Sequence, residues 1–325
     1  MQLLELDRVA RRYGGGRLFG AGRPVHAVYG VSLTVTGGRT LALIGESGCG
    51  KSTTARLALG IERPDGGTVR FRGQAMPPPG SAAWKTLRAK IQMVFQDPLG
   101  ALDPRLSIAV QVGEPLRIHG IGTPAERRDR VADLLASVGL RADLGARYPH
   151  ELSGGQRQRA VLARASATDP VLLVCDEPVS ALDVSIQAQV VNLLMDVQEQ
   201  RGLAMLFISH DLKLVRQIAH DVAVMYLGRI VEQGEPEALF ADPAHPYTRA
   251  LVAAVPQPGA RRAPRLLLAG EPPNPAARPT GCAFHPRCPV AIPVCCTTSP
   301  ALRSRPDGRL IACHLTTGTC SLEAA

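Results

Sequence analysis

The sequence predicts an α/β protein with a mixed, largely parallel core sheet, a helical subdomain inserted into it, and a small cysteine-rich extension at the C-terminus. Three observations carry this. Short apolar runs alternate with amphipathic stretches, as a parallel sheet requires, because each crossover between parallel strands needs a connecting helix. A stretch from about 111 to 139 has helical periodicity and is polar on one face, and it falls between two such strands. Finally, six of the eight cysteines, Cys282, Cys288, Cys295, Cys296, Cys313 and Cys320, crowd the last 44 residues.

In chain order, residues 3–9 and 31–35 read as early strands, joined by a glycine-rich loop over 14–24. Residues 40–44 form a short apolar strand and 51–59 a helix, with further strands at 68–72 and 91–95. The helical insert is placed at about 97–168 and ends on a helix over 156–167. A buried strand at 171–175, a helix at 186–200 and a strand at 204–208 follow, with short elements to Gly234. From Pro236 the composition changes. Pro243, Pro246, Pro256, Pro258, Pro264, Pro272, Pro273, Pro275 and Pro279 break any long element, leaving one helix at 247–254. The expected organisation is a domain over 1–235, a proline-rich extension over 236–280 and a cysteine-rich module over 281–325. No internal repeat is present, which argues against two tandem copies in this chain.

At 325 residues, 45% hydrophobic and 20% charged, the chain has the composition of a folded soluble protein. No apolar run reaches the roughly 18–20 residues of a membrane span, and the N-terminus lacks the order of a leader peptide, so a cytoplasmic location is expected. The formal charge of +9 is almost all arginine, scattered along the chain. It lacks the arginine and aromatic interleaving of a nucleic-acid groove, so contact with a membrane partner or its lipids is the expected use.

Gly45-Glu46-Ser47-Gly48-Cys49-Gly50-Lys51-Ser52-Thr53 follows an apolar strand and opens a helix, the context of a phosphate loop. Its backbone N–H groups form a concave nest for a β-phosphate, Lys51 neutralises β and γ oxygens, and the Ser52 hydroxyl coordinates magnesium. Because Cys49 lies inside that loop, its alkylation is expected to block ATP binding. Residues 171–177 form an apolar strand ending in Asp176, suited to hold magnesium through its water shell, and Glu177, suited to polarise the attacking water. Alternation along an extended segment aims the two carboxylates differently. Gln96, at the end of another strand, can reach the magnesium shell with its amide oxygen, and His210 can donate to the γ-phosphate and hold the water in line. In Leu152-Ser153-Gly154-Gly155-Gln156-Arg157-Gln158-Arg159, glycines at the mouth of a helix allow close backbone approach. The helix N-terminus and Ser153 make an anion site that a single subunit does not need for its own phosphate loop.

These motifs, in this order, resemble the nucleotide-binding subunits of ABC transporters over about residues 1–250. The resemblance implies an ABC-type ATPase fold with an additional antiparallel β subdomain, ATP and Mg2+ as cofactors, and two such domains pairing head to tail. Ser153, Gly154, Gly155 and Gln156 then act on the ATP of the partner, Tyr13 stacks on adenine, and Ser180-Ala181-Leu182-Asp183 links the two sites. Val94-Phe95-Gln96-Asp97-Pro98, Leu102-Asp103-Pro104-Arg105, Tyr148-Pro149-His150-Glu151 and His245-Pro246-Tyr247-Thr248-Arg249-Ala250-Leu251 narrow the likeness to the ATPases of oligopeptide, dipeptide and nickel importers. That group implies a second ATPase subunit, identical or different, two transmembrane permease subunits, an extracytoplasmic solute-binding protein, and a place at the cytoplasmic face of the membrane. The alternatives are a soluble ATPase of the same class acting on nucleic acid or ribosomes, and an importer of nickel or another solute. Cys282, Cys288, Cys295 and Cys313, with gaps of five, six and seventeen residues, are similar to the C-terminal extension of that group, in which some members are thought to carry a [4Fe-4S] cluster. Zinc and unligated thiols remain open beside it, and Cys296 stands as an alternative to Cys295.

Overall fold

The computed structural model describes residues 1–14, 24–180, 182–255, 270–271 and 273–316. Most of the glycine-rich loop, Ala181, Pro256, Pro258, Pro264, Pro272 and Cys320 lie outside the described residues. The strands are β1 (Gln2–Tyr13), β2 (Val25–Thr36), β3 (Thr40–Ile44), β4 (Gly66–Phe71), β5 (Gln74–Ala75), β6 (Ile91–Val94), β7 (Leu172–Asp176), β8 (Ala204–Ser209), β9 (Asp221–Tyr226), β10 (Arg229–Gly234), β11 (Arg303–Ser304) and β12 (Leu310–Ile311). The α-helices are α1 (Lys51–Ala58), α2 (Ala82–Lys90), α3 (Pro98–Ala101), α4 (Ile108–His119), α5 (Pro124–Ser137), α6 (Gly154–Ser166), α7 (Val184–Arg201), α8 (Leu212–Ile218), α9 (Pro236–Ala241), α10 (Pro246–Ala253) and α11 (Pro293–Thr297). None of them is long and apolar enough to cross a membrane. β1, β2, β4 and β5 make a four-stranded sheet in the order β2-β1-β4-β5.

By compactness the chain divides into two units. The first comprises Met1–Leu4, Thr34–Thr40 and Arg70–Ser209. Its strands β6, β7 and β8 run parallel, with Ile91 opposite Leu172 and Asp176 opposite Ile208. Every residue of β7 and β8 is buried, which is why Leu-Leu-Val-Cys and Ala-Met-Leu-Phe-Ile show no polar alternation. The insert packs α4, α5 and α6 against one another. Two of these helices start on capping boxes, Thr123 with Glu126 and Ser153 with Gln156, each satisfying backbone N–H groups that a helix start leaves without partners. In α7 the buried Gln198 donates to Thr40 Oγ1 at 2.9 Å and to the Leu203 carbonyl at 3.2 Å.

The second unit comprises Glu5–Leu33, Leu41–Val69 and the chain from His210 onward. β3 runs parallel to β9, and β9 and β10 form an antiparallel hairpin. Its turn residues Leu227 and Gly228 both have positive φ, 41° and 76°, the twist that a two-residue hairpin turn needs. The cysteine-rich segment extends this sheet: β12 pairs with β10, and β11 with β12. At the junction Glu232 is fully buried. Its oxygens accept from the N–H groups of Ala244 and His245 at 3.0 and 2.9 Å, and Arg309 approaches it at 3.5 Å. Arg309 also donates to the Ala238 carbonyl and to Asp307. Removing one partner of a buried ion pair leaves the other charge uncompensated in a poorly polarisable interior. Arg309→Met is therefore expected to lower the unfolding free energy by about 3 kcal/mol, read as a lower urea midpoint; an unchanged midpoint would mean that the two amides suffice to hold Glu232.

Candidate nucleotide site

The phosphate loop lies in the second unit, between β3 and α1. Gly45 and Gly50 are obligatory: their φ values are +154° and +108°, and a Cβ there would lie 2.2 Å from the Met225 carbonyl oxygen and 2.1 Å from that of Ala27. The loop is tied to the β9–β10 turn by a hydrogen bond from the Gly228 N–H to the Cys49 carbonyl, 2.8 Å. α1 starts at Gly50 with no side-chain cap and no acidic residue in its first turn, leaving the helix start able to meet an anion. Lys51, 5% exposed, donates from Nζ to the Gly45 and Glu46 carbonyls at 2.8 and 3.0 Å. Its ammonium is thus folded across the loop. Ser52 and Thr53 follow on the first turn of α1.

Asp176 and Glu177 belong to the first unit. Asp176 ends β7 and is buried. Strand alternation was the expected device for aiming the two carboxylates apart, and the backbone does it differently. Glu177 has φ 47°, so the chain leaves the strand at this residue, held by its N–H to the Ile208 carbonyl at 3.0 Å. A side chain in this left-handed region is strained, and such strain gathers at functional sites. Gln96 Nε2 donates to Glu177 Oε2 at 3.3 Å. Two residues far apart in sequence are brought together here, with the amide nitrogen toward the carboxylate.

Ser153 is exposed at the start of α6. Its hydroxyl accepts from the Gln156 N–H at 3.3 Å, and the Gln156 side chain accepts from the Ser153 N–H at 3.0 Å. Gly155 permits close packing of α6 on α7, since a Cβ there would meet Ile186 at 2.7 Å. Asp183 is exposed at the start of α7. His210 is the first residue of the second unit's last segment and is exposed, directly before Asp211, which caps α8. Tyr13, at the end of β1, donates its hydroxyl to Glu62 at 2.5 Å, and the Arg11 guanidinium lies 5.2 Å from its ring.

Two residues with direct contacts to the phosphate loop escaped the sequence reading. Tyr247 Oη accepts from the Glu46 N–H at 2.8 Å, and Arg287 forms a two-pronged pair with the Glu46 carboxylate at 2.8 and 3.1 Å. The His-Pro-Tyr string was visible, but only as a family marker. Arg287 had no signal beyond its place beside Cys288. His245, which precedes the string's proline, is buried, and burial pushes its imidazole down to about 3, so it stays neutral. Its Nδ1 accepts the Tyr247 N–H at 3.0 Å and starts α10.

Cys282, Cys288, Cys295 and Cys313 line one cavity of about 10 Å³ together with His245, His285 and His314. Cys295 is buried and Cys296 exposed, and Cys296 is not among the lining residues. Burial, reinforced by the neighbouring sulfurs, raises the Cys282 thiol and pushes Cys288 up to about 11. The seven described cysteines are unbridged. Among the described residues no three His, Cys, Asp or Glu side chains stand in a metal-holding arrangement. Four thiols are the donor set of an iron–sulfur cluster or a zinc ion.

Cys49 is slow to react where it stands: the side chain is 4% exposed and burial pushes the thiol up to about 11 against the pull of Lys51. The thiolate is the reactive form. Iodoacetamide at pH 7.5 is expected to label exposed Cys296 well before Cys49, with ATP binding surviving the first modification; peptide mapping over time checks the order.

Known proteins resemble this chain along most of its length. The family described as ABC transporter matches residues 28–180, and the one described as Oligopeptide/dipeptide transporter, C-terminal region, matches residues 231–295. The chain is 49% identical over 298 residues to the dipeptide transport ATP-binding protein DppF of Haemophilus influenzae, covering 91% of both chains. It is 47% identical over 295 residues to the oligopeptide transport ATP-binding protein AppF of Bacillus subtilis, covering 90% of both. A solved dimeric ATP-binding cassette in a post-hydrolysis state, bound to ADP and Pi, is similar with a TM-score of 0.65 and 27% identity over 72% of this chain and 99% of that one. The chain with this phosphate loop, this capped glycine helix and this C-terminal region therefore belongs to the ATP-binding proteins of the ABC transporter family, in the branch that carries the oligopeptide/dipeptide transporter C-terminal region.

Proposed function

We propose that this chain is the ATP-hydrolysing subunit of a peptide importer, acting at the cytoplasmic face of the membrane as one of a pair of ATPases on two permease subunits, with an extracytoplasmic binding protein delivering oligopeptides or dipeptides. The observation that carries it is the exposed start of α6: Ser153 and its glycines present a helix N-terminus to solvent, as an anion site serving a second subunit's ATP requires. The names of the relatives, transport proteins for dipeptides and oligopeptides, support the cargo.

In this reading Lys51 and the loop amides hold the β- and γ-phosphates, and Ser52, Gln96 and Asp176 hold magnesium, Asp176 through water. The magnesium supplies charge neutralisation on the phosphates. Glu177 polarises the water that attacks the γ-phosphorus, the bond to the β–γ bridging oxygen breaks, and ADP and phosphate leave. His210 keeps that water and the γ-phosphate in line, and Tyr13 stacks on the base. Gln96, whose amide nitrogen donates to Glu177, would meet magnesium with the oxygen of the same amide.

Glu177→Gln is expected to keep ATP affinity and lower hydrolysis by about 100-fold or more, accumulating an ATP-bound dimer in size-exclusion chromatography; unchanged turnover in the assembled transporter rejects Glu177 as the water's base. Ser153→Arg is expected to abolish hydrolysis while the isolated chain binds ATP as before, whereas a large loss of ATP affinity would mean that Ser153 serves its own subunit. For the cysteine pocket we propose a [4Fe-4S] cluster, with zinc as the alternative. Iron, sulfide and zinc are counted per chain after anaerobic purification, and a metal-free, fully folded protein sinks both.

A further inference from the structure

The phosphate loop contains a carboxylate that works against its purpose. Glu46 is the second residue of a loop built to attract phosphate, and an unneutralised carboxylate there would repel the anion. The C-terminal region supplies the remedy. Arg287 places Nη1 and Nη2 on the two Glu46 oxygens at 2.8 and 3.1 Å, with its own side chain only 6% exposed. Such two-pronged pairing of guanidinium with carboxylate is strong and directional. The Glu46 backbone is held too, because its N–H donates to Tyr247 Oη at 2.8 Å. One loop residue is therefore gripped at both backbone and side chain from positions 201 and 241 residues later in the chain.

The grip is rigid. Tyr226, Tyr247 and Phe284 pack ring against ring with centroids 4.6, 5.2 and 5.5 Å apart. Arg287 lies 6.0 Å from the Tyr226 ring, and its backbone N–H bonds to the Phe284 carbonyl at 3.0 Å. β9, α10 and the segment that carries the cysteines thus converge on Glu46.

We infer that Arg287 and Tyr247 are positioning residues of the nucleotide site: the C-terminal region completes the phosphate loop by neutralising and orienting Glu46. This rests on the reading that the loop binds ATP. The test is a Mg-ATP titration of the full chain with a fluorescent ATP analogue, alongside melting midpoints and the ATPase KM and kcat. Arg287→Gln is expected to weaken ATP binding by about tenfold or more, the range of a lost charge-assisted pair, and to raise KM more than it lowers kcat. The diagnostic variant is Glu46→Gln combined with Arg287→Gln, which removes both charges and is expected to bring the affinity back to within about threefold of the parent, since the repelling carboxylate is gone. Tyr247→Phe is expected to weaken binding less, because it loses one neutral hydrogen bond. A purely structural role predicts no such recovery. A folded Arg287→Gln chain with parental affinity, or a folded double variant that fails to recover, overturns the inference. If Arg287→Gln does not fold, Arg287→Met, neutral and better suited to a buried position, takes its place, and parental affinity in that folded variant overturns it equally. A parent chain that binds no ATP refutes the functional reading itself, which separates the two failures.

Discussion

The close approach of the phosphate loop to the β9–β10 hairpin is the constraint on which the second unit depends. Backbone meets backbone here with no room for a side chain. Cβ atoms at Gly45 and Gly50 would collide with the Met225 and Ala27 carbonyls, and one at Gly228 would lie 2.8 Å from the Ala27 oxygen. The hydrogen bond from Gly228 to Cys49 and the one from the Tyr29 N–H to the Gly228 carbonyl, both 2.8 Å, fasten the same crossing. A nest for phosphate needs its amides aimed before the ligand arrives, because orientation at binding costs entropy. The hairpin turn ties the loop at the Cys49 carbonyl, at the expense of a positive φ at Leu227.

A second pattern is how charge is managed around this crossing. Two carboxylates of the second unit, Glu46 and the fully buried Glu232, each face an arginine from the cysteine-rich segment, Arg287 and Arg309. Buried ion pairs contribute little net stability, but leaving either member alone is costly. The arrangement therefore acts more on specificity than on stability: the segment can dock in the one register that puts both guanidinium groups on their carboxylates. The addition of β12 to β10 gives the same register a backbone ladder.

In the first unit Glu177, the carboxylate proposed to polarise the water, depends on a backbone exception. Glu177 leaves β7 through a left-handed residue, and this departure puts it beside Gln96. Sequence patterning reads regular geometry well and exceptions poorly. The apolar run through Cys175 announced a strand ending in two carboxylates, but nothing in the residue types showed that the second carboxylate sits off the strand. Ser153 was more legible, because a serine, two glycines and a glutamine at a helix start are themselves the capping box that forms.

The sequence alone determined the features that local chemistry dictates. Glycines that tolerate positive φ, a lysine and a serine at fixed offsets, apolar runs of strand length and proline-dense connections all act over a few residues, so their pattern survives without coordinates. It also marked four cysteines, and the fold then placed Cys295 in their shared cavity and Cys296 outside it. What only the tertiary structure decided are the pairings across long stretches of chain: Gln96 with Glu177, Tyr247 and Arg287 with Glu46, Arg309 with Glu232. The physical reason is that an arginine is equally at home solvated or paired, and its residue type carries no information about which. Burial makes the choice, and burial is a property of the folded chain.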